Sequence, residues 1–169
     1  MATEFPLRRI VDHFDGKVVV DAGVTDMACV TVKPSDLVEL CLFLRDDAVL
    51  KFNFMADICG VDFYPESPRF ELVYHLYSIP FGWRIRIKCR LADPPLAPTI
   101  TDIWTTANWH EREAFDMYGI VFEGHPDLRR IYMWKEFEGF PMRRDFPLRG
   151  YKDKYNPFGV EKNVEREQQ

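Results

Sequence analysis

Leu7, Ile10, Val11 and Phe14 recur at helical spacing and Asp15-Gly16 ends the run, so the chain is expected to open with a short amphipathic helix. The period then becomes strand-like. Three consecutive valines within residues 17–21 and the β-rich residues 27–33 predict two strands, with a turn around Ala22-Gly23. Pro34-Ser35-Asp36 starts a second helix whose apolar stripe is Leu37, Leu40, Cys41 and Leu44, and Glu39 is spaced to reach back toward Asp36 as a capping box. Residues 52–64 mix aromatics with Asp57, Gly60 and Asp62 and carry no decisive period. The clearest pattern comes next: Phe70, Leu72, Tyr74 and Leu76 alternate with Glu71, Val73, His75 and Tyr77. Trp83, Ile85, Ile87, Cys89 and Leu91 then alternate with Arg84, Arg86, Lys88 and Arg90, and Ile79-Pro80-Phe81-Gly82 joins the two runs into a hairpin. An antiparallel pair with one apolar face needs a cover, which the preceding helices can supply. The expected fold is α+β, a single domain with a mixed or mostly antiparallel sheet covered by helices, plus an extended C-terminal arm.

Pro94-Pro95 and Pro98 predict a linker into a short strand or extended segment over residues 99–104. The densest stretch comes after it, at residues 109–148. Asn108 is placed to cap a helix, Glu111 lies at its third position, and Gly119 sits where a left-handed C-terminal cap is needed, predicting a helix over 108–118. Arg112 and Asp116 are four residues apart and Glu113 and Asp116 three apart, so these charges are expected to share one side as a structural cluster. Gly124 and Pro126 force a turn around His125, either a hydrogen-bonded structural histidine or a proton-active one. Arg129-Arg130 and Arg143-Arg144-Asp145 bracket Tyr132, Trp134, Phe137 and Phe140, while Pro141 and Pro147 bias their predecessors toward extended backbone. Arginine and aromatics on an extended segment are interface material. Residues 1–136 are therefore expected to form the domain. Residues 137–169, ending in a polar tail short of aliphatics, are expected to form a docking arm ordered by a partner or disordered alone.

Composition narrows the function classes. With 47% hydrophobic and 29% charged residues the chain is globular, and no apolar run is long enough for a membrane span. The first six residues lack a basic leader, so the protein is expected to stay in the compartment where it is made. A net charge of −5 disfavours general nucleic-acid binding. The basic strand face at residues 84–90 is expected to be a solvated face or a charge-protected edge, because no glycine-rich loop or aromatic ladder accompanies it. Cys29, Cys41, Cys59 and Cys89 are scattered and form no Cys-x-x-Cys pair, so they read as buried reduced thiols in a cytosolic protein.

Enzymatic readings of the dense stretch each lack a residue. His110-Glu111-Arg112-Glu113 begins like a zinc-protease helix, but Ala114 stands where the second histidine belongs. Glu113 is followed three residues later by Asp116 rather than histidine, which removes a di-iron reading. An acid–base pair beside Arg112 reads better as a structural charge cluster. Neither a phosphate-binding nor a dinucleotide glycine motif is present.

The run Glu111-Arg112-Glu113-x-x-Asp116-Met117-Tyr118-Gly119-Ile120-x-Phe122, continuing through Gly124-His125-Pro126-Asp127-Leu128-Arg129-Arg130 to Gly139-x-Pro141-x-Arg143-Arg144-Asp145-Phe146-Pro147-Leu148, resembles the signature of the 30-kDa subunit family of respiratory complex I. In bacteria that complex is the NADH-quinone oxidoreductase. Tyr74-His75-Leu76, Ile103-Trp104 and Ala107-Asn108-Trp109 extend the likeness from about the hairpin onward. Arg144 stands where the family commonly has lysine, which keeps the charge but changes donor geometry. The resemblance implies a subunit of the peripheral arm with no catalytic site, flavin, iron–sulfur cluster or quinone site of its own; FMN and iron–sulfur clusters would lie in partner subunits. It implies docking against the large quinone-site subunit and the small terminal-cluster subunit, and a peripheral place at the cytoplasmic face of the bacterial inner membrane. Glu111, Arg112, Glu113, Asp116, Gly119, His125, Arg129, Arg130, Arg143, Arg144 and Asp145 are the expected motif and partner-contact residues. The equivalent subunit of a membrane-bound hydrogenase or another dehydrogenase complex is the alternative, followed by an independent acid–base enzyme using Glu111, Glu113, Asp116 and His125.

Overall fold

The computed structural model describes residues 5–161. The terminal residues 1–4 and 162–169, the latter part of the expected arm, lie outside the described residues. The opening helix is α1 (Leu7–Phe14), closed by Asp15 in the left-handed region at φ 37°, with Ile10 and Phe14 turned into the core. The strands β1 (Val18–Val20) and β2 (Ala28–Val32) pair antiparallel, and α2 (Pro34–Asp46) comes after them. The helix α2 buries the predicted stripe, Leu37, Leu40, Cys41 and Leu44. Its capping box does not form. The helix begins at Pro34, the flanking Lys33 makes no side-chain cap, and Glu39 instead accepts a 3.0 Å hydrogen bond from Lys17 Nζ. With proline occupying the first position, one orphan N–H is already absent and the cap has less to satisfy.

The undivided segment resolves as β3 (Phe54–Asp62), an edge strand beside the hairpin β4 (Phe70–Ser78) and β5 (Trp83–Leu91). The strands run in the order β1-β2-β5-β4-β3. The β2/β5 contact is parallel and the rest are antiparallel. Register explains the core. Val30, Ile87, Tyr74 and Ile58 stand side by side across four strands, as do Val32, Cys89 and Leu72 across three. This apolar face meets Ile10, Phe14, Leu37, Leu40 and Leu44 from the helices in one continuous cluster. Burying each large aliphatic there contributes about 2 kcal/mol.

The other face carries the basic alternation, and β5 is the central strand of the sheet, so it is not an edge. Its bases are answered locally: Lys88 pairs with Asp21 at 2.7 Å, Arg86 with Asp26 at 3.1 Å, and Arg90 with Glu71 and Glu66 at 3.5 Å. Three of the four free cysteines are buried, but Cys59 is exposed, because it falls on this second face of β3 beside Val73.

The proline-rich linker and the segment after it differ from expectation. Leu96–Pro98 forms a short strand, β6, and residues 99–104 are turns rather than a strand. The helix α3 (Ala107–Tyr118) comes next, then β7 (Val121–Glu123), which pairs parallel with β6. The β6–α3–β7 unit fixes both ends of the helix. Trp104 Nε1 donates to the Phe52 carbonyl at 3.1 Å and Thr106 Oγ1 to that of Met55 at 3.4 Å, which ties the start of α3 to the edge of the sheet. Among the described residues no helix is long and apolar enough to cross a membrane.

Candidate interaction site

Three charged residues on α3 are buried, namely Glu111, Arg112 and Asp116, an unusual number for one helix and one that requires satisfied partners. Their partners are not the helical neighbours that the spacing suggested. Asp116 Oδ2 accepts the backbone N–H groups of Ile131, Tyr132 and Met133 at 3.0, 2.7 and 3.0 Å, while Oδ1 accepts Arg130 Nη1 at 2.9 Å. Burial alone pushes this carboxyl up, but the three N–H donors and Arg130 outweigh burial and hold it below its ordinary value. Arg112 reaches the same segment rather than Asp116, donating from Nε to the Arg129 carbonyl at 3.1 Å and stacking 4.7 Å over the ring of Trp109. Glu113 is exposed. The expected cluster of Arg112, Glu113 and Asp116 is therefore not formed, because chain distant in sequence supplies better-aligned donors than a neighbouring side chain can.

Glu111 does not cap its own helix either. Its Oε1 accepts the Ile100 N–H at 2.8 Å and its Oε2 the Thr99 hydroxyl at 2.6 Å, pinning the turn that leads into α3. Thr106, not Asn108, flanks the helix start, and it makes no side-chain cap. Fully buried and, among the described residues, paired with no lysine or arginine, Glu111 is pushed up to about 7, burial prevailing over the two hydrogen bonds. His125 Nε2 stands 4.0 Å from Glu111 Oε2, and the His125 side chain is buried. Its Nδ1 accepts the Asp127 N–H at 3.0 Å, so the neutral ring carries its proton on Nε2, 3.3 Å from the Asn108 carbonyl. These bonds are the structural reading of His125.

Gly119 closes α3 at φ 74°, and its missing side chain matters twice. A Cβ there would stand 2.5 Å from the ring of Phe140 and 2.7 Å from Arg143 Nη2. Into this space the segment after Gly139 folds back on the domain. Met142 N–H donates to the Met117 carbonyl at 3.1 Å, Arg143 Nε to that of Tyr118 at 2.6 Å, and the Arg143 guanidinium lies over Phe70 and Phe140. The Arg144 side chain is exposed while its N–H bonds Asp62 Oδ2 at 2.9 Å. Asp145 and Asp62 share Arg69, each at 2.8 Å, and the Arg69 guanidinium holds the Asp62 carboxyl well below its ordinary value. Arg130 extends the network to the Gly139 carbonyl at 3.0 Å, whereas Arg129 is exposed and pairs with Asp127 at 2.9 Å. Tyr151, Phe146, Phe137, Trp134 and Tyr155 continue as a chain of ring contacts, edge-on except for the tilted Phe146–Phe137 pair. Leu148, Phe158 and Tyr155 remain exposed beside it, as do Trp109 and Tyr132 on the helix side.

Sequence reading missed three participants: Thr99, Arg69 and Asp62. Only the acidic and basic character of the last two was visible, and nothing local connects Asp62 with Asp145. Among the described residues no group of three histidine, cysteine or acidic side chains is placed to hold a metal ion.

A chain in the solved structure of the membrane-bound sulfane sulfur reductase, an archaeal respiratory membrane complex, superimposes with a TM-score of 0.72 at 24% identity, covering 84% of each chain. At that identity the likeness speaks for the fold alone, an α+β domain. Residues 30–152 match the family described as "Respiratory-chain NADH dehydrogenase, 30 Kd subunit", and the chain belongs to that family. It is 62% identical over 155 residues to the C 2 subunit of NADH-quinone oxidoreductase of Rhizobium meliloti (strain 1021), covering 92% of this chain and 85% of the relative. It is also 62% identical to the Rhizobium etli (strain CIAT 652) protein of the same name, over 95% and 87%. Identity to the corresponding C subunit of Burkholderia mallei (strain SAVP1) is 49%, over 75% and 68%. The chain is thus a subunit of an oxidoreductase complex of the respiratory chain, and its partners are other subunits of that complex.

Proposed function

We propose that this chain is an assembly subunit of the peripheral arm of NADH-quinone oxidoreductase, with no catalytic site or cofactor of its own. It docks against the large quinone-site subunit and the small subunit holding the terminal cluster, at the cytoplasmic face of the bacterial inner membrane. FMN and the iron–sulfur clusters reside in partner chains. The observation that carries this reading is the contrast within residues 109–161. The buried charges are consumed by the chain's own backbone and Arg130, while Trp109 (62% exposed), Tyr132 (61%), Leu148 and Phe158 are left in solvent. Large exposed apolar side chains beside arginines are what a partner surface covers. Residues 137–161 form neither helix nor strand, save a single bridge between Tyr151 and Val160, which suits a segment completed by its neighbours.

The acid–base alternative is weaker on geometry. Glu111, the carboxylate pushed toward neutrality, is fully buried with both oxygens engaged, so no substrate reaches it. A nucleic-acid role is weaker too, because acidic partners already neutralise Arg86, Lys88 and Arg90. The test is the purified chain alone. It is expected to oxidise no NADH with any quinone and to lack flavin or cluster absorbance. Turnover by the isolated chain would overturn the proposal.

A further inference from the structure

Between α3 and β3 lies a groove of about 240 Å³, bounded also by the returning segment at Met142. Its walls are apolar at Ile58, Met117 and Met142, and its rim carries the carboxylates of Asp57 and Glu113 with the Cys59 thiol between β3 and the helix. The Tyr118 ring packs closely on Gly60 in its lining, where an added Cβ would come within 2.6 Å of the ring.

The charge here is left over. Elsewhere four buried or partly buried aspartates are answered by a base of the same chain: Asp62 by Arg69, Asp116 by Arg130, Asp21 by Lys88 and Asp47 by Arg9. Among the described residues no lysine or arginine pairs with Asp57 or Glu113. Asp57 instead accepts the Cys59 thiol at 2.7 Å and has the His110 and His75 rings at 3.3 and 4.0 Å. Burial, the Asp57 hydrogen bond and the negative charges of Asp57 and Glu113 push that thiol up to about 12, so it stays neutral and adds no cation or anion to the groove at neutral pH. A negative rim above methionine walls is complementary to one kind of side chain, a long aliphatic stem ending in a positive charge. The groove also continues directly into the segment on which docking is proposed above, through Met142, itself exposed.

We infer that this groove receives an arginine or lysine of a partner subunit, its stem against Met117 and Met142 and its charged head between Asp57 and Glu113. The inference rests on the docking reading and adds to it the outer face of α3 and the chemistry of what covers it.

Cys59 makes the test direct, because the other three thiols are buried. The tagged full-length chain, free and in the complex captured from gently solubilised membranes, is treated with a maleimide and the modified cysteine identified by mass. The neutral Cys59 thiol is expected to label slowly in the free chain, and at least tenfold more slowly still in the complex. The charge is tested separately. Glu113→Lys is expected to lower the assembled fraction at least tenfold and Glu113→Ala about threefold, with the thermal midpoint of the free chain unchanged in both. A complex in which Cys59 labels as fast as in the free chain overturns the groove assignment while the docking reading stands. Equal assembly of the Lys and Ala variants overturns it in the same way. Capture of the chain without any other respiratory subunit removes both.

Discussion

Asp116 and Glu113 lie three residues apart on one helix, carry the same charge, and serve different ends. Asp116 is fully buried and receives three backbone N–H groups and a guanidinium from its own chain, so it holds residues 130–133 against α3. Glu113 is exposed on the rim of a groove and, among the described residues, pairs with no lysine or arginine. Folding consumes the charge of Asp116 and leaves that of Glu113 in solvent. Charge density by itself therefore says nothing about chemistry; what matters is which charges the chain has already answered.

The largest expected effect comes from removing the consumed charge. Asp116→Ala leaves three N–H groups and Arg130 without their acceptor, and is expected to cost about 3–5 kcal/mol in urea unfolding of the isolated chain. A loss under 1 kcal/mol would mean that the anchor is replaceable by water and that the contrast with Glu113 is empty.

Next is the pH profile set by Glu111. Its carboxyl is raised from 4.5 to about 7 in the native state, so as pH rises the unfolded chain releases its proton first. The contribution to stability is complete below the unfolded value of 4.5 and is lost by about 7, a decline of about 3 kcal/mol at 1.4 kcal/mol per unit. Glu111→Gln is expected to flatten the unfolding free energy over that window. An unchanged slope would assign the titration elsewhere.

Gly119→Ala ranks third. The left-handed backbone and the contact with Phe140 are expected to cost about 2 kcal/mol and to loosen the returning segment, read as faster hydrogen exchange at the Met142 and Arg143 amides. The smallest effect on folding belongs to the other charge, where Glu113→Lys is expected to move stability by less than about 0.5 kcal/mol. These two substitutions sharpen the comparison, since one disturbs the chain's contact with itself and the other only its outer surface. Arg143 and Arg144 divide likewise. Arg143 is bound to the Tyr118 carbonyl and stacked on Phe70, so reversing its charge disturbs the domain, whereas the Arg144 side chain is exposed.

Much of the domain could be read from the chain because its signals are local. Alternation over residues 70–91 fixed the hairpin and the valines marked β1. Gly119 announced the end of α3 because only the left-handed region fits there. The capping roles of Glu39 and Glu111 were not legible. A carboxylate three residues into a helix has both its own cap and any tertiary donor within reach, and Lys17 in one case and Ile100 with Thr99 in the other won. The same competition separated Arg112 from Asp116. The β6–β7 ribbon escaped notice because its three-residue strands pair across the whole of α3, leaving no periodicity to detect. In the candidate site, the residue types were visible but not their partners. Asp62 and Asp145, far apart in sequence, meet through Arg69, a contact that only the returning segment creates.

The central claim is that this chain works by contact inside a respiratory complex whose chemistry lies in other subunits. Affinity capture of the tagged chain from gently solubilised membranes, with mass identification of the recovered subunits and an NADH-quinone assay, tests it most directly. The account predicts co-recovery of the large and small peripheral-arm subunits together with NADH-quinone activity. Recovery of the chain without respiratory subunits, or activity that stays with the chain after its partners are stripped away, would contradict it.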